Sequence, residues 1–177
     1  MTGGPGSGKS TVARLLAAAF GTPVFHLDEM ALDLESELPA REAFMELPKR
    51  LPWIAAQESW ITEGSYIGWA TPLFDAAELV IWMKVPGRLA LYRILVRHLK
   101  ADLARNNRFP GWRRLARFWR WSARYYLDRN PHTLGFYGVP ETAEHAAELL
   151  RPYEHKLVAC RSYAEALQAA LLSRAPS

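Results

Sequence analysis

The chain has 177 residues, half of them apolar, and a net charge of +4. That length is enough to bury the core of one domain, and no apolar run approaches the ~18 residues that a membrane span needs. The single cysteine, Cys160, excludes an internal disulfide, and no charged-then-apolar leader is visible, so a cytoplasmic protein is expected, with Cys160 serving as packing. The charge is unevenly spread: residues 88–130 hold twelve Lys or Arg, only one of them Lys, against two Asp, which leaves the rest net acidic. Such polarisation points to an anionic ligand met by one segment, either phosphate groups or nucleic acid.

In chain order, the first feature is Gly3, Gly4, Pro5, Gly6, Ser7, Gly8, Lys9, Ser10 and Thr11. Glycine, four residues, then Gly-Lys-Ser is the spacing of a phosphate-binding loop. Glycines allow successive N–H groups to turn around one anion, and the helix expected from about Ser10 through Val12, Leu15, Leu16 and Ala19 aims its positive end at the same point. In such a loop the lysine, here Lys9, reaches the β- and γ-phosphates of ATP, and the Ser10 hydroxyl holds Mg²⁺. The loop ordinarily follows a buried strand of ~5–6 residues, yet only Met1 and Thr2 precede Gly3. The first strand is therefore expected to be largely missing, with a native start upstream of Met1.

Gly21-Thr22-Pro23 predicts a stop, and residues 24–28 a short strand ending at Asp28. Across the acidic stretch 29–58, Pro39 is expected to open a helix. Phe44, Leu47, Leu51 and Ile54 recur at helical spacing, with Pro48 and Pro52 expected to break or kink the run. Residues 60–64 read as a strand with its exit turn at Glu63-Gly64, and 79–85 as a strand covered on both faces. From Arg88 the spacing predicts a helix with Leu89, Tyr92, Val96, Leu99 and Leu103 in one stripe and Arg93, Arg97 and Lys100 on another face. After a turn at 106–111, residues 112–126 predict a second basic helix. Arg113, Arg117, Arg120 and Arg124 share one of its faces, and Trp112, Leu115, Trp119, Ala123 and Tyr126 another. Residues 131–140 read as loop, 141–151 as a helix, 155–161 as a last strand and 163–172 as a closing helix. Strands alternating with helices imply a mainly parallel sheet with helices on both faces, and ligands of such sheets bind at the carboxyl ends of the strands. The loop, Asp28 and Glu63 all fall there.

Taken in order, GGPGSGKST, HLD, SWITEGSY, the apolar strand ending in proline, LYRILVRHL and the Arg/Trp-rich stretch resemble the adenylate-kinase-like P-loop kinases. Within them the pattern is most similar to the DNA topology modulation proteins. The resemblance covers nearly the whole chain, and the HLD and W-I-x-[DE]-G-x-Y pieces are more specific than the loop. It implies an α/β three-layer sandwich with a parallel sheet of order 2-3-1-4-5 and a helical, Arg-rich lid over residues 88–130, with 29–58 as an acceptor-side insert. Glu63 stands where relatives usually carry Asp, and the Asp-Gly-[Phe/Tyr]-Pro-Arg signature of adenylate kinases is missing, because Glu63-Gly64 runs on as Ser65-Tyr66. AMP is therefore not the expected acceptor.

These features predict a Mg²⁺·ATP-dependent kinase acting on a small acceptor, such as a nucleotide or nucleoside. Asp28 either orients or deprotonates the acceptor hydroxyl or caps the following helix. Glu63 is expected beside Mg²⁺ with Ser10, and His26 in packing. Tyr66 and Trp69 either stack on a substrate ring or join the core. Arg113 and Arg117 are expected among the lid arginines that steady the transferring phosphoryl group, since guanidinium forks suit phosphate oxygens. The alternative is a nucleic-acid-associated ATP-binding protein, whose arginine face grips a phosphate backbone while Trp112, Trp119 or Trp121 stacks on bases.

Overall fold

Val12, Ala13 and Leu16 form the buried face of helix α1 (Lys9–Phe20), and Gly21, left-handed at φ 62°, ends it within one residue of the expected stop. Around α1 the computed structural model describes residues 1–37, 40–65, 67–68, 70–107, 109–130 and 142–174. Five short strands, β1 (Thr2–Gly3), β2 (Val24–His26), β3 (Ile61–Glu63), β4 (Val80–Met83) and β5 (Leu157–Cys160), alternate with helices. Every ladder is parallel: β1 pairs with β4, β4 with β5, and β2 with β3. Met1 joins the two sets, because its amino group donates to Thr62 O at 2.6 Å and Gly64 N donates to Met1 O at 3.3 Å. The resulting order, β2-β3-β1-β4-β5, is the one expected, with the central strand reduced to two residues.

β4 carries the alternation of a strand covered on both sides. Ile81 and Met83 pack with Val12, Leu16, Cys160 and Ala166, the last from α8 (Tyr163–Arg174). Val80 and Trp82 pack on the other face with Tyr125, Leu150 and Tyr153. Cys160 is therefore core, and burial pushes its thiol pKa up. Below Met1, between the amino ends of β3 and β4, lies a cavity of about 300 Å³ lined by Leu16, Phe20, Ile61, Leu79, Ile81 and Ala170 among others. It is at the opposite end of the sheet from the phosphate loop.

Three local expectations change. The second strand stops at His26, and Leu27 and Asp28 already belong to α2 (Leu27–Glu37). Of the break or kink expected at Pro48 and Pro52, the break does not occur: the helix α3 (Ala40–Ala55) runs through both. Each proline costs ~3 kcal/mol in a helix interior, but Leu47, Leu51 and Ile54 are fully buried along the same helix; Leu51 and Ile54 pack with Leu27, Ala70 and, from α4 (Thr71–Ala76), Leu73. Burial of that stripe, worth ~1.5–3 kcal/mol per side chain, is of the size needed to offset the lost backbone bonds. On α5 (Gly87–Leu103) the apolar stripe faces outward, with Tyr92 63% and Leu103 88% exposed, while the short side chain of Ala90 and that of Ile94 turn inward. Close approach of the phosphate loop to the α5 backbone decides this, as described below. The second basic helix, α6 (Trp112–Leu127), forms as predicted, and α7 (Ala143–Leu150) starts at Thr142, whose side chain caps it by accepting from His145 N. Pro39, Tyr66, Trp69, Arg108 and the expected loop 131–140 lie outside the described residues.

Candidate functional site

The loop of residues 3–11 connects β1 to α1 and is seated on α5 and α6. Gly6 adopts φ 76°, and a Cβ there would stand 2.3 Å from Ala90 O, so only glycine fits. A Cβ on Gly4 would meet the Tyr125 ring at 2.3 Å. Two outward carbonyls are tied down from these helices: Arg93 Nη1 donates to Ser7 O at 3.0 Å, and Tyr126 OH donates to Pro5 O at 2.8 Å. Within the loop Ser7 N donates to Gly4 O at 3.2 Å, and the leading N–H groups of α1 lack partners within the helix, as at any helix start. Burial pushes the Tyr126 phenol pKa well up and raises that of Tyr125 to about 12, so both act as neutral packing and donor groups.

Lys9 is buried, and its Nζ lies 3.4 Å from Asp28 Oδ2. Asp28, in the first turn of α2, turns away from a capping role; its Oδ1 accepts from Ser65 N at 3.3 Å. Its side chain remains 39% exposed, so it faces both the lysine and the open crevice. Ser65 Oγ in turn donates to Gly3 O at 3.2 Å, closing a ring of contacts from the β3 exit to the loop.

Glu63, the last residue of β3, is only 2% exposed and uses both carboxylate oxygens. Ser10 Oγ donates to Oε2 at 2.9 Å, and His26 Nδ1 lies 2.6 Å from Oε1. The Met1 amino group sits near them, and its pKa falls to about 6, first because of burial, with Glu63 opposing and Lys9 adding to the drop.

Lys9, Ser10, Asp28 and Glu63 are thus brought together as anticipated. Arg113 and Arg117 are not: both are exposed on α6, and neither contacts the loop among the described residues. The groups that do reach the loop from α5 and α6 are Arg93, Tyr125 and Tyr126. Arg93 stood in the basic stripe of α5 and Tyr126 on the apolar face of α6, while Tyr125 gave no signal of its own. The sequence reading also missed His26, because its partner depends on strand register: His26 and Glu63 are paired positions of the β2–β3 ladder.

The residues present suit the groups that the loop implies. A hydroxyl and a carboxylate at the head of α1 are hard oxygen donors, and Mg²⁺ characteristically takes one or two protein ligands together with phosphate oxygens. Among the described residues no group of three or more His, Cys, Asp or Glu forms a self-sufficient metal site. Ser7 Oγ is buried without a protein partner inside the loop, as a cradle for a polar ligand would leave it.

No protein-family model and no curated protein matches the sequence. Among solved structures, the chain is similar to a shikimate kinase from Acinetobacter baumannii in complex with shikimate. The TM-score is 0.55 at 17% identity, over 99% of this chain and 93% of that one. The likeness shows a shared fold: a parallel α/β sheet with helices. No helix among the described residues is long and apolar enough to cross a membrane.

Proposed function

We propose that the protein is a Mg²⁺·ATP-dependent kinase that phosphorylates a hydroxyl of a small acceptor. The observation that carries this reading is the meeting of Lys9, Ser10, Asp28 and Glu63 at the carboxyl ends of the strands, beside the loop. Phosphoryl transfer asks the protein for positioning and charge neutralisation. Lys9 and the loop amides bind and orient the β- and γ-phosphates, and Ser10 with Glu63 holds Mg²⁺, which neutralises charge on the phosphate oxygens. Asp28, exposed on the crevice side and paired to Lys9, orients the acceptor hydroxyl and takes its proton. Arg93, which bonds Ser7 O of the loop, is the guanidinium that would lie beside the bound phosphates. In this reading residues 88–130 form a lid in which Arg113 and Arg117 approach the γ-phosphate only on closure, and 29–58 form the acceptor side. The acceptor is a nucleotide, a nucleoside or a small hydroxy compound; the fold shared with shikimate kinase adds shikimate to the compounds worth testing.

ADP release from Mg²⁺·ATP, measured against nucleosides, nucleoside monophosphates, small alcohols, shikimate and duplex DNA, tests the reading with Lys9→Ala as blank. Stimulation by one small acceptor, lost in Lys9→Ala, is the expected result. Turnover unchanged in that variant would falsify the assignment.

One observation favours a second reading. Arg113, Arg117, Arg120 and Arg124 point outward on α6 with no acidic partner among the described residues, between exposed Trp112, Trp119 and Trp121. A nucleic-acid-associated ATP-binding protein, in line with the resemblance to DNA topology modulation proteins, would use that face on a phosphate backbone. Its mark is DNA binding that weakens steeply with salt, less so after Arg113 and Arg117 are neutralised. Stimulation of ATP turnover by DNA alone would favour it over a small acceptor.

A further inference from the structure

Glu63 presents a problem of orientation. A carboxylate that is 2% exposed is costly unless each oxygen has a donor, and a metal-side carboxylate must also keep one oxygen aimed at the metal. Ser10 Oγ supplies a donor to Oε2 only. The partner of Oε1 is His26 Nδ1 at 2.6 Å, from the adjacent strand. Because a carboxylate oxygen only accepts, Nδ1 carries the hydrogen. Both residues end their strands and occupy paired positions of the β2–β3 ladder, so the contact is set by backbone register and needs no long, mobile side chain. The His26 side chain is 15% exposed, which keeps water from replacing it freely.

We infer that His26 is a positioning residue for the Mg²⁺ site: it clamps Oε1 of Glu63 and so holds Oε2 against Ser10, where the metal is expected. The inference rests on the kinase reading for the assignment of Ser10 and Glu63 to Mg²⁺. His26 touches neither metal nor nucleotide; it acts through Glu63, as outer partners of metal ligands commonly do. Without it Oε1 is left buried without a donor, and the carboxyl group turns to find one, carrying Oε2 off Ser10.

The test is equilibrium binding of ATP to the full chain, measured over a series of Mg²⁺ concentrations and in the presence of EDTA, for wild type, His26→Leu and His26→Asn. Such variants at outer partners typically lose 10–100-fold in metal affinity. His26→Leu is therefore expected to raise the Mg²⁺ midpoint by about 10–100-fold, while ATP affinity in EDTA is unchanged. Asn places an amide N–H close to the position of Nδ1–H, so His26→Asn is expected to restore most of the wild-type midpoint at the same ATP affinity. A structural role alone predicts a lower melting temperature with an unmoved Mg²⁺ midpoint, and that result overturns the inference. Equal midpoints for Leu and Asn, or a rise only in His26→Asn, overturn it as well. If His26→Leu does not fold, His26→Gln, whose amide reaches past the Nδ1 position, takes its place with the same expected direction. Failure of the kinase reading looks different: wild-type ATP binding would then be independent of Mg²⁺.

Discussion

The crevice around the phosphate loop and the basic arm formed by α5 and α6 treat charge in opposite ways. In the crevice each charged side chain is matched: Lys9 with Asp28, and Glu63 with Ser10 and His26. On the arm, Arg113, Arg117, Arg120 and Arg124 stand in solvent without acidic partners among the described residues, beside exposed Trp112 and Trp119. Among the described residues the two regions meet where Gly6 sits on Ala90 and Gly4 on the Tyr125 ring, and through the Arg93 bond to Ser7 O and the Tyr126 bond to Pro5 O. Charges matched within the crevice hold its geometry. Unmatched charges on the arm are free to meet an anion that arrives from outside. The lesson is that the same residue type, arginine, serves the loop where it is tied to a backbone carbonyl and remains a surface charge one helix away.

Lys9→Ala should break the crevice most severely, lowering ATP turnover by at least about 10²–10³-fold as loss of a charge-stabilising donor does, with urea unfolding little changed.

Gly6→Ala places a side chain against Ala90 O at a positive φ. It should destabilise the protein by about 1–3 kcal/mol and weaken ATP binding together. An unchanged unfolding midpoint would mean that the loop is not seated on α5. Tyr126→Phe removes only the hydroxyl that bonds Pro5 O, and about 1 kcal/mol of stability is expected to go with it. A larger rise in the KM for ATP than in that for the acceptor would mark the tyrosine as a loop support. Smallest of all, replacing Arg113 and Arg117 together by Gln should leave stability within about 0.5 kcal/mol. A larger loss would reveal partners on the arm and erase the contrast with the crevice.

The residues themselves announced the loop, because glycine spacing and Lys-Ser chemistry are local, and they announced the alternating strands and helices that make a parallel sheet. They also put Glu63 at the end of its strand, where the structure has it bonded to Ser10, whereas Asp28, expected at a strand end, meets Lys9 from the first turn of α2. Other features depended on packing at a distance. The outward turn of the Leu89, Tyr92, Leu99 and Leu103 stripe follows from the loop pressing on Ala90, a contact between segments far apart in the chain. Pro48 and Pro52 stay inside α3, where burial of Leu47, Leu51 and Ile54 is of the size needed to offset a local backbone cost. His26 found Glu63 through parallel register, and Tyr125 and Tyr126 found the loop by the docking of α6. Periodicity and motif spacing are properties of neighbouring residues, so they can be read along the chain; register and docking are chosen by the summed burial of segments that meet only on folding.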